Sequence, residues 1–192
     1  MRPLPPLTLV ACFASGPWVG WGAAQAATPP PLVGKWNRSG SVHPHDADPA
    51  TWGNAGTTSS RYEFRADGTY LFTERTFRMT HPVILVVREE GAYAVKERRL
   101  AVVPTSSVIR AYRKAHGGDE LGDLVSTQAR RLEPTTYTYG FHFFPGIQEW
   151  NLVLQAAAPT QRDGAFSGNT TYPNAWYFDQ RFTNNDLTAA RK

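Results

Sequence analysis

The chain has 192 residues, with 20 basic and 16 acidic side chains and a net charge of +4. That charge is dispersed, and its densest basic pairs, Arg98-Arg99 and Arg130-Arg131, never grow into a tract. This excludes the many phosphate contacts on which nucleic-acid affinity rests. A single cysteine, Cys12, excludes a disulfide within the chain, and the length suits one domain with a hydrophobic core.

Residues 1–26 read as a cleavable export signal. Arg2 supplies the positive start, Leu7 to Phe13 the apolar run, and Ala24-Gln25-Ala26 a small-residue site with cleavage before Ala27. The apolar stretch is shorter than the roughly 20 residues of a spanning helix. A competing motif overlaps it: Leu9-Val10-Ala11-Cys12 resembles a lipoprotein box. The expected location is therefore the periplasm or the exterior, or alternatively a lipid anchor at Cys12. No later segment is long and apolar enough to span a membrane as a helix.

Residues 27–31 form a proline-rich lead-in, and Leu32 to Asn37 a short strand. Ser39 to Ser60 is polar and rich in Gly, Pro, Asp and Thr, and reads as a long loop. Tyr62, Phe64 and Ala66 then alternate with Glu63 and Arg65, Asp67-Gly68 marks a tight turn, and Tyr70 and Phe72 resume the alternation. This predicts a hairpin with its rings on one face. Val83 to Val87 predicts a buried strand. Gly91, Tyr93 and Val95 predict another, and Leu100, Val102 and Val103 one more, ended by Pro104.

Ser106 to His116 predicts a short helix. A serine can cap its start, Val108 and Tyr112 lie four apart, and Gly117-Gly118 can stop it. Strands resume over Leu124 to Leu132. Tyr137, Tyr139, Phe141 and Phe143 alternate with Thr138, Gly140 and His142. Trp150, Leu152 and Leu154 form the next strand, Arg162-Asp163-Gly164 a turn, and Trp176 and Phe178 the last strand. A polar, flexible tail occupies 184–192. The reading is an all-β domain over 32–183, an antiparallel barrel of about eight strands with one short helix, since closure removes vulnerable edges.

Three segments carry a family resemblance. Leu32-Val33-Gly34-Lys35-Trp36 resembles the G-x-W opening of lipocalin-like proteins. YEFRADGTYLF at 62–72 and EGAYAVKERRLAVVP at 90–104 resemble successive strand pairs of the small bacterial lipocalin-like (calycin-type) domains. The resemblance implies that Gly34 and Trp36 lie at the closed base of the barrel, with Arg181 packing against the tryptophan, and that a ligand occupies the open end. The chain departs from the pattern in the long insertion after Trp36 and in the mid-chain helix.

No candidate site is catalytic. The Ser-His-Asp context of a hydrolase is missing, and nothing in the spacing pairs the carboxylates of Glu74, Glu149, Asp163 and Asp179. His43-Pro44-His45-Asp46-Ala47-Asp48 has four metal-capable side chains, but Pro44 works against one-sided presentation, so no metal or other cofactor is assigned. The stronger feature is the supply of rings with polar handles. Tyr70, Tyr93, Tyr137, Tyr139, Trp150 and Trp176, with His142, are the candidate ligand-binding residues. The leading expectation is an exported protein that binds or carries a small hydrophobic, aromatic or amphipathic ligand. Two alternatives stay open: a noncatalytic module that binds an envelope protein through the Ser39–Ser60 loop, and an enzyme on a β-barrel scaffold.

Overall fold

Alternation of bulky and polar residues gives each segment one face to bury, and strands are the conformation with that period. The computed structural model describes residues 31–42, 55–116, 118–168 and 171–181. The export segment, Cys12, the lead-in before Pro31, the His43–Asp48 motif and the 184–192 tail lie outside these residues. Every regular element among the described residues is a β-strand: β1 Gly34–Val42, β2 Gly56–Phe64, β3 Thr69–Arg78, β4 Val83–Lys96, β5 Arg99–Ala115, β6 Glu120–Ala129, β7 Thr135–Phe144, β8 Glu149–Gln155 and β9 Ala175–Phe178. Among the described residues no helix is long and apolar enough to cross a membrane.

All pairings are antiparallel, in the order β1-β2-β3-β4-β5-β7-β8-β9. β5 is long enough to serve two neighbours. Its first residues pair with β7 and its second half with β6. The sheet curls until its ends touch at one bridge, where Asn37 and Asp179 exchange backbone hydrogen bonds of 2.6 and 2.8 Å. No longer ladder joins those two edges, so the sheet curls without closing into a fully laddered barrel.

The β2–β3 hairpin forms as its sequence predicts. Gly68 takes φ +80°, and Asp67 Oδ1 accepts from the Thr69 amide at 2.9 Å and the Thr69 hydroxyl at 2.6 Å. Three other expectations are corrected. The helix over Ser106–His116 is absent, and this segment is the second half of β5, laddered on both sides. The spacing of Val108 and Tyr112 misled because residues four apart share a face in a strand as well as in a helix. Gly118, expected to help stop that helix, lies in the β5–β6 connection.

The strand also continues through Pro104. Glu90 pairs with Ser106 and Gly91 with Pro104, so Thr105 is a bulged extra residue. Gly91 makes this crossing fit, since a Cβ there would lie 2.2 Å from the Val103 carbonyl oxygen and 2.7 Å from Pro104 Cα. Gly91→Ala is therefore expected to cost about 1–3 kcal/mol by overpacking. Urea unfolding checks this, and an unchanged midpoint would remove the bulge from the account. Finally, Ser39–Val42 and Gly56–Ser60, expected to be loop, are paired strand.

Cross-strand partners share a face, so the register divides the concave side into rows. The lowest row is Phe64, Tyr70, Gly91 and Pro104. Above it run Trp36, Tyr62, Phe72, Glu89 and Ser107, and then Arg38, Ser60, Glu74, Val87, Ile109 and Gln128. The uppermost is Gly40, Thr58, Thr76, Leu85, Ala111 and Ser126. The concave side thus grades from packed rings at one end to small and polar residues at the other. The main core of Trp36, Tyr62, Phe64, Tyr70, Phe72, Leu100, Tyr137, Trp176 and Phe178 fills the ring-lined end. On the convex side of the β3–β6 extension, Ile84, Val86 and Leu121 pack with Phe77 and Tyr112. These two cores explain why Val83 to Val87 is apolar without interruption: the strand is buried on both faces.

Candidate functional site

The connection between β8 and β9 sends two charged side chains into the interior. Thr160 and Gly164 bridge to form a tight turn, and Arg162 and Asp163 at its tip are 2% and 1% exposed. Burying charges this deeply is tolerable only when they are paired and fully hydrogen-bonded. Arg162 Nε donates to Glu89 Oε1 at 2.6 Å, its Nη1 to the Tyr137 hydroxyl at 3.1 Å and its Nη2 to the Glu133 carbonyl at 2.8 Å. Glu89 Oε1 also accepts from the Tyr70 hydroxyl at 2.8 Å. Asp163 accepts from the hydroxyls of Tyr62 at 2.8 Å, Tyr137 at 2.5 Å and Thr160 at 2.7 Å. Arg38 Nη2 holds the Asp163 carbonyl at 2.6 Å. This network is a polar deck across the interior, between the ring-packed end and the polar end.

The deck perturbs its tyrosines. Burial pushes the Tyr62, Tyr70 and Tyr137 hydroxyls well above their usual pKa. The Asp163 charge adds to the rise at Tyr62 and Tyr137, and that of Glu89 does so at Tyr70, while Arg162 pulls all three down. All three are hydrogen-bond donors, consistent with neutral phenols.

The structure brings together only some of the residues expected to bind a ligand. Tyr70 and Tyr137 hold up the deck, and Trp176 is fully buried beneath it with Nε1 on the Ala165 carbonyl at 2.9 Å. Tyr139 packs against the same core. Tyr93 lies at the far end, edge-on to Phe64 at 5.0 Å, with its hydroxyl on the Arg65 carbonyl at 2.7 Å. Trp150 packs against Phe143 at 5.3 Å. His142 is on the convex side, with Nδ1 3.3 Å from the Tyr172 hydroxyl and its ring edge-on to Phe144. Of the residues expected at the base, Gly34 opens β1, and Trp36 is fully buried with Nε1 on the Leu32 carbonyl at 2.8 Å. Arg181 is half exposed and pairs with Asp179 and Glu149 at 2.8 and 3.0 Å.

Beside and above the deck lie further inward-facing residues that were not among the binding candidates. Ser107 faces inward from β5, only 4% exposed, and the Arg130 amide donates to its carbonyl at 2.9 Å. Arg130 Nη2 is fixed on the Gln161 carbonyl at 2.8 Å. Its Nη1 and the Ser107 hydroxyl are buried and have no hydrogen-bond partner among the described residues. Nearby, burial raises the Glu74 pKa against the pull of Arg38 and Arg130. Val87 and Ile109 supply apolar surface in the same rows. One signal was present in the sequence: Val87, Glu89 and Gly91 alternate, so Glu89 occupies a concave-side position that should be apolar.

An open cleft of about 460 Å³ is lined by Arg99, Thr136, Tyr137, Thr138, Gln155 and Asn174 among others. Among the described residues no group of three or more His, Cys, Asp or Glu side chains could hold a metal ion. Comparison with protein-family models, with curated proteins and with solved structures finds no match to this chain.

Proposed function

We propose that this is an exported, noncatalytic lipocalin-like binding protein that takes a small amphipathic molecule into the polar end of the curled sheet. The observation that carries the reading is the gradient of the concave rows: rings fill one end, the Arg162–Glu89–Asp163 deck closes them off, and the rows above carry small, polar and a few apolar side chains. The ligand seat therefore moves upward from the tyrosines to the rows of Ser107, Arg130, Val87 and Ile109. Buried donors without acceptors are costly, and Ser107 and Arg130, paired across the strands through their backbones, each carry one. A ligand head rich in acceptor oxygens satisfies both, while its apolar part lies on Val87 and Ile109. Apolar contact for affinity with a few fixed polar groups for orientation is the usual economy of such sites.

The test is native mass spectrometry of the protein after incubation with lipid and metabolite extracts, followed by titration of whatever is retained. Ile109→Trp fills the seat from its wall and is expected to weaken binding at least about tenfold, roughly 1.4 kcal/mol. Arg130→Gln removes a charge-assisted hydrogen bond and is expected to cost a similar factor. Retention of the same molecule, undiminished, by the Ile109 variant would place the seat elsewhere. A protein that retains nothing from any extract would end the binding reading.

A further inference from the structure

We infer that β6 is an interface strand, and that the partner is a second copy of this chain paired antiparallel along it. β6 pairs with β5, and no strand among the described residues pairs with its other edge. Such an edge offers a row of backbone donors and acceptors to any extended chain. Most of the strand is exposed, and Leu124 and Val125 are 53% and 52% exposed.

The β5 ladder shows which backbone groups are free. The Arg130 amide donates to Ser107, and Ala129, Gln128, Thr127 and Ser126 follow in unbroken register with Val108 to Ala111. In an antiparallel ladder alternate residues turn their backbone groups toward the neighbour. Ser126, Gln128 and Arg130 therefore bond to β5, while Thr127 and Ala129 point to the open edge. Val125 is bulged out of the ladder, since Ala111 pairs with Ser126 and Tyr112 with Leu124.

Charge selects the occupant. Asp119, Glu120 and Asp123 lie at one end of the strand and Arg130 and Arg131 at the other. A parallel copy would set like charges together, whereas an antiparallel copy sets acid against base. A twofold axis through Thr127 opposes Thr127 to Thr127, Val125 to Ala129, and Asp123 to Arg131. That register joins the residues whose edge groups are free and produces two symmetry-related ion pairs. Asp123 and Arg131 are both exposed. Opposite charges directly across a strand pair stabilise it, and like charges destabilise it.

The experiment uses the full chain with Cys12→Ser, which removes the only cysteine, and sedimentation across a concentration series. A monomer–dimer equilibrium is expected. Asp123→Arg alone and Arg131→Asp alone should each weaken it about fivefold, through two symmetric pairs, and the double variant should restore it. Thr127→Cys should give a covalent dimer under mild oxidation, because residues paired in this way bring their Cα atoms to about 5.5 Å. Gln128→Cys, off the axis, should cross-link far less. A protein that stays monomeric and does not cross-link through Thr127→Cys would overturn the proposal. A dimer whose strength ignores both charge variants would also overturn it, by placing the interface elsewhere.

Discussion

Arg162→Met is expected to lower the unfolding free energy by about 3–5 kcal/mol, the cost of leaving a buried charge without its partner. Arg162 and Glu89 have side chains only 1% and 4% exposed, and their contact is 2.6 Å. Methionine has a similar reach but no donor. The substitution strands the Glu89 carboxylate and also frees the Glu133 carbonyl and one face of the Tyr137 hydroxyl. The loss should be partly reversed in Arg162→Met/Glu89→Gln, because glutamine carries no charge and still accepts from Tyr70. Urea denaturation of the three proteins measures both steps. A single variant within about 1 kcal/mol of the parent would mean that the deck is far wetter than its burial implies.

The second large effect is alkaline collapse. Folding raises the pKa of Tyr62, Tyr70 and Tyr137 above the ordinary value of 10.0, through burial first and the neighbouring carboxylates next. Their contribution to stability is complete below pH 10 and is lost as the pH climbs toward the folded values, since the unfolded chain then releases protons that the folded one retains. Phenolate absorbance should therefore rise in two stages. The second stage belongs to these three and coincides with the loss of the β-sheet circular-dichroism signal. All eight tyrosines ionising in one step, with the sheet signal intact, would contradict the buried network.

These expectations concern residues that were visible in the sequence but assigned another role. Tyr70, Tyr137 and Trp176, named from the sequence as candidate ligand-binding residues, are buried in the interior, because alternation reports which side of a strand a residue occupies. It does not report how deep along the strand the interior is filled. The Tyr70 hydroxyl, for example, donates to Glu89 at the level of the deck. The helix misassigned to Ser106–His116 failed for a related reason. A single pair four residues apart suits both periodicities, and only the flanking ladders of β4 and β6 separate them. Ser107, inside the segment expected to be helical, is an inward-facing residue of the long strand.

Local pattern was sufficient for the antiparallel all-β class, the Asp67-Gly68 hairpin and the placement of most strands, because turn chemistry and two-residue periodicity act between neighbours. The polar deck could not be found in this way. Arg162 meets Glu89 across 73 positions and Tyr62 meets Asp163 across 101. No short-range rule distinguishes an Arg-Asp-Gly turn left in water from one folded inward. That choice belongs to the curled sheet, whose interior offers three phenols and a glutamate at the depth the turn reaches, so that two charges cost less inside than their separate burial would suggest.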